Sequence, residues 1–188
     1  MPQDFSPSSV TFPTLVLGGA RSGKSQFAEK LAHNSGLTRI YLATATAGDD
    51  EMRGRIAHHR NQRGEGWRTV EEPLELTEAL ARESAAERIV LVDCLTLWLS
   101  NLMHAGRDPA QETQKLTDWL RSPSYPVLLV SNEVGLGLVP ETPLGREFRD
   151  AQGRLNQAVA AAVPNVVFVA AGLPLWLKRD HVEKGSFL

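Results

Sequence analysis

Residues 18–25 read Gly18-Gly19-Ala20-Arg21-Ser22-Gly23-Lys24-Ser25, a complete G-x-x-x-x-G-K-[ST] octet. This pattern constrains the fold before anything else is known, because it requires a strand in front of it and a helix opening directly behind it. Both are present: the apolar run Leu15-Val16-Leu17 precedes the octet, and Phe27, Ala28 and Leu31 behind it fall on one helical face. The chemistry is phosphate binding. A polyphosphate needs many N–H donors at close range, which curled backbone amides at a helix N-terminus supply and separate side chains cannot. Gly18, Gly19 and Gly23 let the main chain curl. Lys24 is expected to reach the β- and γ-phosphates, and the Ser25 hydroxyl to take one position on a Mg²⁺ ion that bridges them.

The remaining chain alternates short β-rich runs with longer amphipathic ones. Strands are expected at 39–43, 67–70, 89–92 with Asp93 at its end, 127–130 and 166–169. Helices are expected over 49–60, 74–83, 95–103, 110–120 and from Pro143 to about Ala162, the last with Thr142 as its cap and Pro143 at its first turn. Strands separated by helices call for parallel pairing with right-handed crossovers. The predicted fold is therefore a three-layer α/β arrangement of the P-loop NTPase (RecA-like) kind, a mainly parallel sheet with helices on both faces. The carboxyl ends of its strands would bring Gly18, Thr44, Asp93 and Asn132 together.

Composition narrows the function classes. At 188 residues the chain is most simply one domain, 13–188, behind a Ser/Pro-containing tail over residues 1–12. A net charge of −2 gives no basic footprint for nucleic acid. No run of about 18 apolar residues is present to span a membrane. The single cysteine, Cys94, excludes an intrachain disulfide framework and fits a reducing, cytoplasmic setting, with apolar filling at a strand end as its role.

Two further constellations carry chemistry. Asp93, ending an apolar strand, stands where an acid would hold Mg²⁺ through water, or where it would cap the helix that starts at Leu95. In the segment 49–63, acidic at its start and basic at its end, Met52, Ile56 and His59 share an apolar stripe while His58 lies on the polar face. A neutral imidazole flanked by arginines is either a phosphoryl-attacking nucleophile or an ordinary surface histidine. On the 143–162 helix, Leu144, Phe148, Ala151, Leu155 and Val159 form a core stripe, and Arg149, Gly153 and Asn156 form a second face suited to a substrate or a partner subunit.

Together these blocks resemble one family, the bifunctional adenosylcobinamide kinase / adenosylcobinamide-phosphate guanylyltransferases. The resemblance is carried by the octet, by Tyr41-Leu-Ala-Thr44, and by Asp50-Glu-Met52 followed by Arg55-Ile-Ala-His-His59. It continues through Trp67-Arg-Thr69, Val92-Asp-Cys-Leu-Thr96 with Asn101, Ser131-Asn-Glu-Val-Gly135, Val139-Pro-Glu141, Phe148-Arg-Asp150 and Gly153-Arg-Leu-Asn-Gln157. It implies phosphorylation of a small-molecule corrinoid, adenosylcobinamide, with ATP or GTP. A second reaction would pass GMP from GTP, through a guanylylated histidine aligned with His58, to the substrate phosphate. Nucleotide contacts implied in the same way fall on the octet, on Thr44, Ala45 and Thr46, on His59, Arg60, Asn61 and Gln62, and on Glu71 and Asp93. The resemblance also implies a homotrimer. A monofunctional small-molecule kinase with His58 structural is the alternative enzyme reading, whereas a GTP-driven switch lacks the Asn-Lys-x-Asp guanine motif.

Overall fold

The computed structural model describes residues 12–45, 63–121 and 125–179. Seven strands form one sheet: β1 (Thr14–Gly18), β2 (Thr38–Ala43), β3 (Trp67–Glu71), β4 (Arg88–Asp93), β5 (Val127–Asn132), β6 (Asn165–Ala170) and β7 (Leu173–Lys178). The described helices are α1 (Lys24–Asn34), α2 (Leu76–Glu83), α3 (Leu95–His104), α4 (Pro109–Arg121) and α5 (Pro143–Ala162). The strand order is β3-β2-β4-β5-β1-β6-β7, parallel except for β7. The helix expected over 49–60 lies outside the described residues.

Period-two alternation in the strands assigns side chains to the two faces. Leu15, Leu17, Ile40, Leu42, Val90, Val92, Val127 and Leu129 point to one face, where α2, α3, α4 and α5 cover them with Leu80, Trp98, Leu99, Leu116, Leu155 and Val159. Val16, Tyr41, Ile89, Leu91, Leu128 and Val130 point to the other, where α1 supplies Ala28 and Ala32. Helices thus flank the sheet on both sides, as expected. Polar groups on the helices find partners: Trp98 Nε1 donates to Leu74 O at 2.8 Å, and exposed Thr142 caps α5 by accepting from Gly145 N at 3.1 Å.

The structure adds β7, which the sequence reading omits. Its Leu-Pro-Leu-Trp-Leu-Lys alternation is interrupted by Pro174, and a proline demotes a run to a sheet edge. That is where β7 lies, joined to β6 by a two-residue turn in which Ala171 (φ 50°) and Gly172 (φ 78°) both adopt left-handed conformations. Leu144 also departs from expectation. Placed in the core stripe by spacing, it is 61% exposed.

One buried carboxylate outside the site gives a test of the electrostatics. Glu83 of α2 is buried and accepts from Arg68 of β3 and from its neighbour Arg82. Burial pushes its pKa up, but the two guanidinium groups outweigh burial and hold it below the ordinary carboxylate range. A depressed folded-state pKa contributes stability above the unfolded value that is lost as pH falls through the folded one. Glu83→Gln should therefore cost about 1–2 kcal/mol at pH 7, discounted for the half-exposed arginines. The difference from wild type should shrink as pH falls below the ordinary carboxyl value of 4.5. Urea unfolding at pH 7 and pH 3 checks it; an equal deficit at both would show a packing effect instead.

Candidate active site

The octet forms the loop between β1 and α1, with both neighbours of β1 ending beside it: Gly18 pairs in register with Asn132 of β5 and Val169 of β6. A Cβ at Gly18 would run into Ser22 Oγ and the Val169 carbonyl, so only glycine fits that close approach. Gly23 has φ +93° and precedes the first turn of α1, and a Cβ there would stand 3.1 Å from Gly172 Cα. The β6–β7 turn thus buttresses the loop from behind, and Gly172 N donates to Ser22 O at 2.8 Å. Ser22 Oγ is buried without a hydrogen-bond partner among the described residues. Lys24 is buried, and its Nζ donates to Gly19 O at 3.0 Å, folding the charge back over the loop. Burial lowers the Lys24 pKa while the charge of Asp93 pulls it upward, so the ammonium and that carboxylate share one field.

Asp93 ends β4, one strand removed from β1 because β5 is inserted between them. The capping alternative for Asp93 does not describe what the side chain does. Cys94 occupies the N-cap of α3 with no side-chain cap bond, and Asp93 Oδ2 accepts from Tyr41 Oη at 3.0 Å. Burial, then the charge of Asp93, drives the Tyr41 pKa far up, so the phenol remains a donor. The guanidinium of Arg63 lies 3.3 Å from the Tyr41 ring centroid, and Glu29 of α1 has its pKa raised by burial and by Asp93. The Cys94 thiol, pushed up to about 11 by burial and by Asp93, is chemically quiet, as an apolar filler should be.

The half-buried Ser25 in the first turn of α1 and the half-buried Asp93 offer hard oxygen donors on the same side of the sheet as the loop lysine. Lys24 feels the Asp93 charge. That donor set suits Mg²⁺ and a polyphosphate, and it lacks the nitrogen and sulfur ligands a softer metal prefers.

The other expected residues divide into four groups. Ala20, Arg21 and the rest of the octet form the loop, with Arg21 exposed and left-handed at φ 55°. Glu71, at the carboxyl end of β3, is exposed beside Ala43 and shares the sheet edge with Ala45 just beyond β2. Thr44 is fully buried: its hydroxyl donates to Cys94 O at 2.8 Å and accepts from Cys94 N at 2.9 Å, so it ties β2 to the residue after Asp93. Thr46, His58, His59, Arg60, Asn61 and Gln62 lie outside the described residues.

Several groups support the site in ways that helical and strand spacing do not reveal. Asn101 Nδ2 donates to Thr44 O at 2.7 Å and Pro73 O at 3.1 Å, joining α3 to two strand-end loops. Ser131, Gln152 and Asn156 form a buried network, and Asn156 Nδ2 donates to Asn132 O at 3.0 Å. Asn156 therefore faces β5, not an external substrate, because a buried amide lowers its free energy by pairing with strand-end groups. Polar residues at helical spacing look alike whether they face solvent or a strand end, which is why spacing misplaced it. A concavity lined by Pro13, Leu120, Val163 and Lys178 opens at the amino ends of the strands, away from this chemistry.

Similarity to known proteins agrees with the geometry. Among solved structures, a Pyrococcus horikoshii OT3 protein superposes with a TM-score of 0.52 at 11% identity, covering 90% of this chain and 87% of that one. An ATPase from the type III secretion system of pathogenic bacteria gives 0.51 at 10% identity, covering 87% and 56%. At such identities the likeness concerns fold alone, the RecA-like P-loop NTPase fold expected from the sequence. The bifunctional adenosylcobalamin biosynthesis protein CobP of Pseudomonas aeruginosa is 52% identical over 169 residues, spanning 88% of this chain and 97% of the relative. The corresponding CobU of Escherichia coli is 41% identical over 179 residues, spanning 87% and 98%. With residues 14–177 matching the model of cobinamide kinase / cobinamide phosphate guanyltransferase, the chain belongs to that bifunctional enzyme family.

Proposed function

We propose that this enzyme carries both reactions of its family on the loop-bearing edge of the sheet. In the first, the aminopropanol hydroxyl of adenosylcobinamide attacks the γ-phosphorus of ATP or GTP, the bond to the β-phosphate oxygen breaks, and the hydroxyl proton leaves to solvent. In the second, a ring nitrogen of neutral His58 attacks the α-phosphorus of GTP and pyrophosphate departs. The phosphate of the phosphorylated substrate then attacks the guanylylated histidine, giving adenosylcobinamide-GDP and freeing the imidazole. The observation that carries the reading is the phosphate loop itself, with buried Lys24 folded over Gly19 and in the field of Asp93.

The chain's own residues divide the work by position. Loop amides and the α1 N-terminus hold phosphate oxygens, and the buried Lys24 follows the charge that moves onto the leaving oxygen. Ser25 and Asp93 would hold Mg²⁺, which would draw charge from the nucleotide's phosphates. Glu71 and Ala45, with Thr46, His59, Arg60, Asn61 and Gln62 by family resemblance, would complete the nucleotide contacts. Incubation with GTP labelled at the α-phosphate, followed by denaturation, tests the two-reaction reading. Retained label is the expected result, and a protein that phosphorylates substrate yet never retains label is a kinase alone.

The surface favours a homo-oligomer, with the family's trimer as the expected state, acting in the cytoplasm. Edge strand β7 exposes Leu173, Leu175 and Leu177, and the loop after β5 exposes Leu136 and Leu138. An unpaired apolar edge of this kind is an association surface unless it is covered. Sedimentation equilibrium should return three times the 20.6 kDa chain mass. A monomer at micromolar concentration would overturn that assignment. Among the described residues no helix is long and apolar enough to cross a membrane.

A further inference from the structure

Tyr41 lies in the middle of β2, directly opposite Leu91 of β4. Leu91 and Asp93 are two residues apart on one strand and so project from the same face, which makes Asp93 the diagonal neighbour of Tyr41. A phenol is long enough to reach that diagonal, and its hydroxyl meets Oδ2 at 3.0 Å. The ring is buried and held by two neighbours. Its exposure is only 7%, Trp67 of β3 packs edge-on at a centroid distance of 6.1 Å, and the Arg63 guanidinium covers its face. A hydrogen bond from a rigid donor fixes the plane of a carboxylate that would otherwise rotate freely at its strand end.

We infer that Tyr41 is a positioning residue: its hydroxyl ties down Oδ2 of Asp93 and so orients the carboxylate's other oxygen for Mg²⁺ on the bound nucleotide. The inference rests on the proposed metal role of Asp93. It assigns the hydroxyl of Tyr41 a task separate from the ring's packing, and that separation is measurable because Tyr41→Phe deletes one oxygen and retains the ring. Asp93 is half-buried, so water can replace the lost donor and the variant should fold.

The test is equilibrium binding of a non-hydrolysable nucleoside triphosphate to the whole chain, titrated with Mg²⁺ and in parallel with Mn²⁺, whose binding is also read by electron paramagnetic resonance. Loss of a ligand-orienting partner typically weakens metal affinity on the order of 10–100-fold. Tyr41→Phe should therefore raise the half-saturating Mg²⁺ concentration at least about tenfold, with nucleotide affinity at saturating Mg²⁺ within about twofold of wild type. Asp93→Asn should raise it at least as much, and the double variant should be no worse than Asp93→Asn alone, since the hydroxyl acts only through that carboxylate. A shift in Asp93→Asn with none in Tyr41→Phe would leave the metal reading standing and reduce Tyr41 to core packing. No shift in Asp93→Asn would remove the metal reading and this inference with it. Should Tyr41→Phe unfold, the Arg63→Gln variant, which removes the guanidinium over the ring and leaves the hydroxyl in place, should keep the wild-type metal dependence, and a loss there as large as in Asp93→Asn would show that ring packing, not the hydroxyl, holds the carboxylate.

Discussion

Lys24→Ala should reduce the rate of phosphoryl transfer by about a hundredfold or more, the usual scale for deleting one preorganised electrostatic partner of a transferred phosphoryl group. The side chain is buried and donates to the loop carbonyl of Gly19, so its charge is held where water screens it poorly. Removing it also relieves a desolvation cost, and the thermal midpoint should change little. Lys24→Met, which keeps the aliphatic stem, should be as inactive as Lys24→Ala, separating charge from packing. Single-turnover phosphorylation of the corrinoid, run beside a thermal melt, checks both. Near-normal turnover in a folded Lys24→Ala protein would take the loop out of the chemistry.

His58→Ala should abolish GMP transfer and leave no covalent label, whereas phosphorylation of adenosylcobinamide, which calls on the phosphate loop, should persist. The contrast is large because loss of the proposed nucleophile would remove a step outright and not merely slow it. His59→Ala should retain the adduct. The wild-type adduct should be acid-labile and stable to alkali, as a phosphorus–nitrogen bond to imidazole requires. Its formation should slow as pH falls through the imidazole range, since the protonated ring has no lone pair to offer. An adduct that survives His58→Ala, or that resists acid, would move the assignment to His59 or to a lysine.

Local rules made much of the architecture legible. The octet dictated strand, loop and helix in that order, and β1 and α1 meet around it as required. Continuous apolar runs such as Ile89-Val90-Leu91-Val92 called for strands covered on both faces, and their alternate side chains do enter two separate cores. Thr142-Pro143 marked the start of α5 because cap and first-turn preferences are properties of adjacent residues.

What the sequence by itself determined, then, were the features fixed within a few residues: the phosphate-binding loop, the parallel strands, the helix starts, and the family through ordered blocks of motif. Only the tertiary structure decided what depends on partners distant in the chain. It inserted β5 between the loop strand and the Asp93 strand, brought the Gly172 turn against Gly23, and turned Asn156 inward to Asn132. It also gave Asp93 a phenol from 52 residues away where a helix cap was the local alternative. The physical reason is common to all of these. Strand order and hydrogen-bond partnership between segments are selected by burial and polar satisfaction across the whole sheet, and nearest-neighbour preferences do not encode which distant group will arrive.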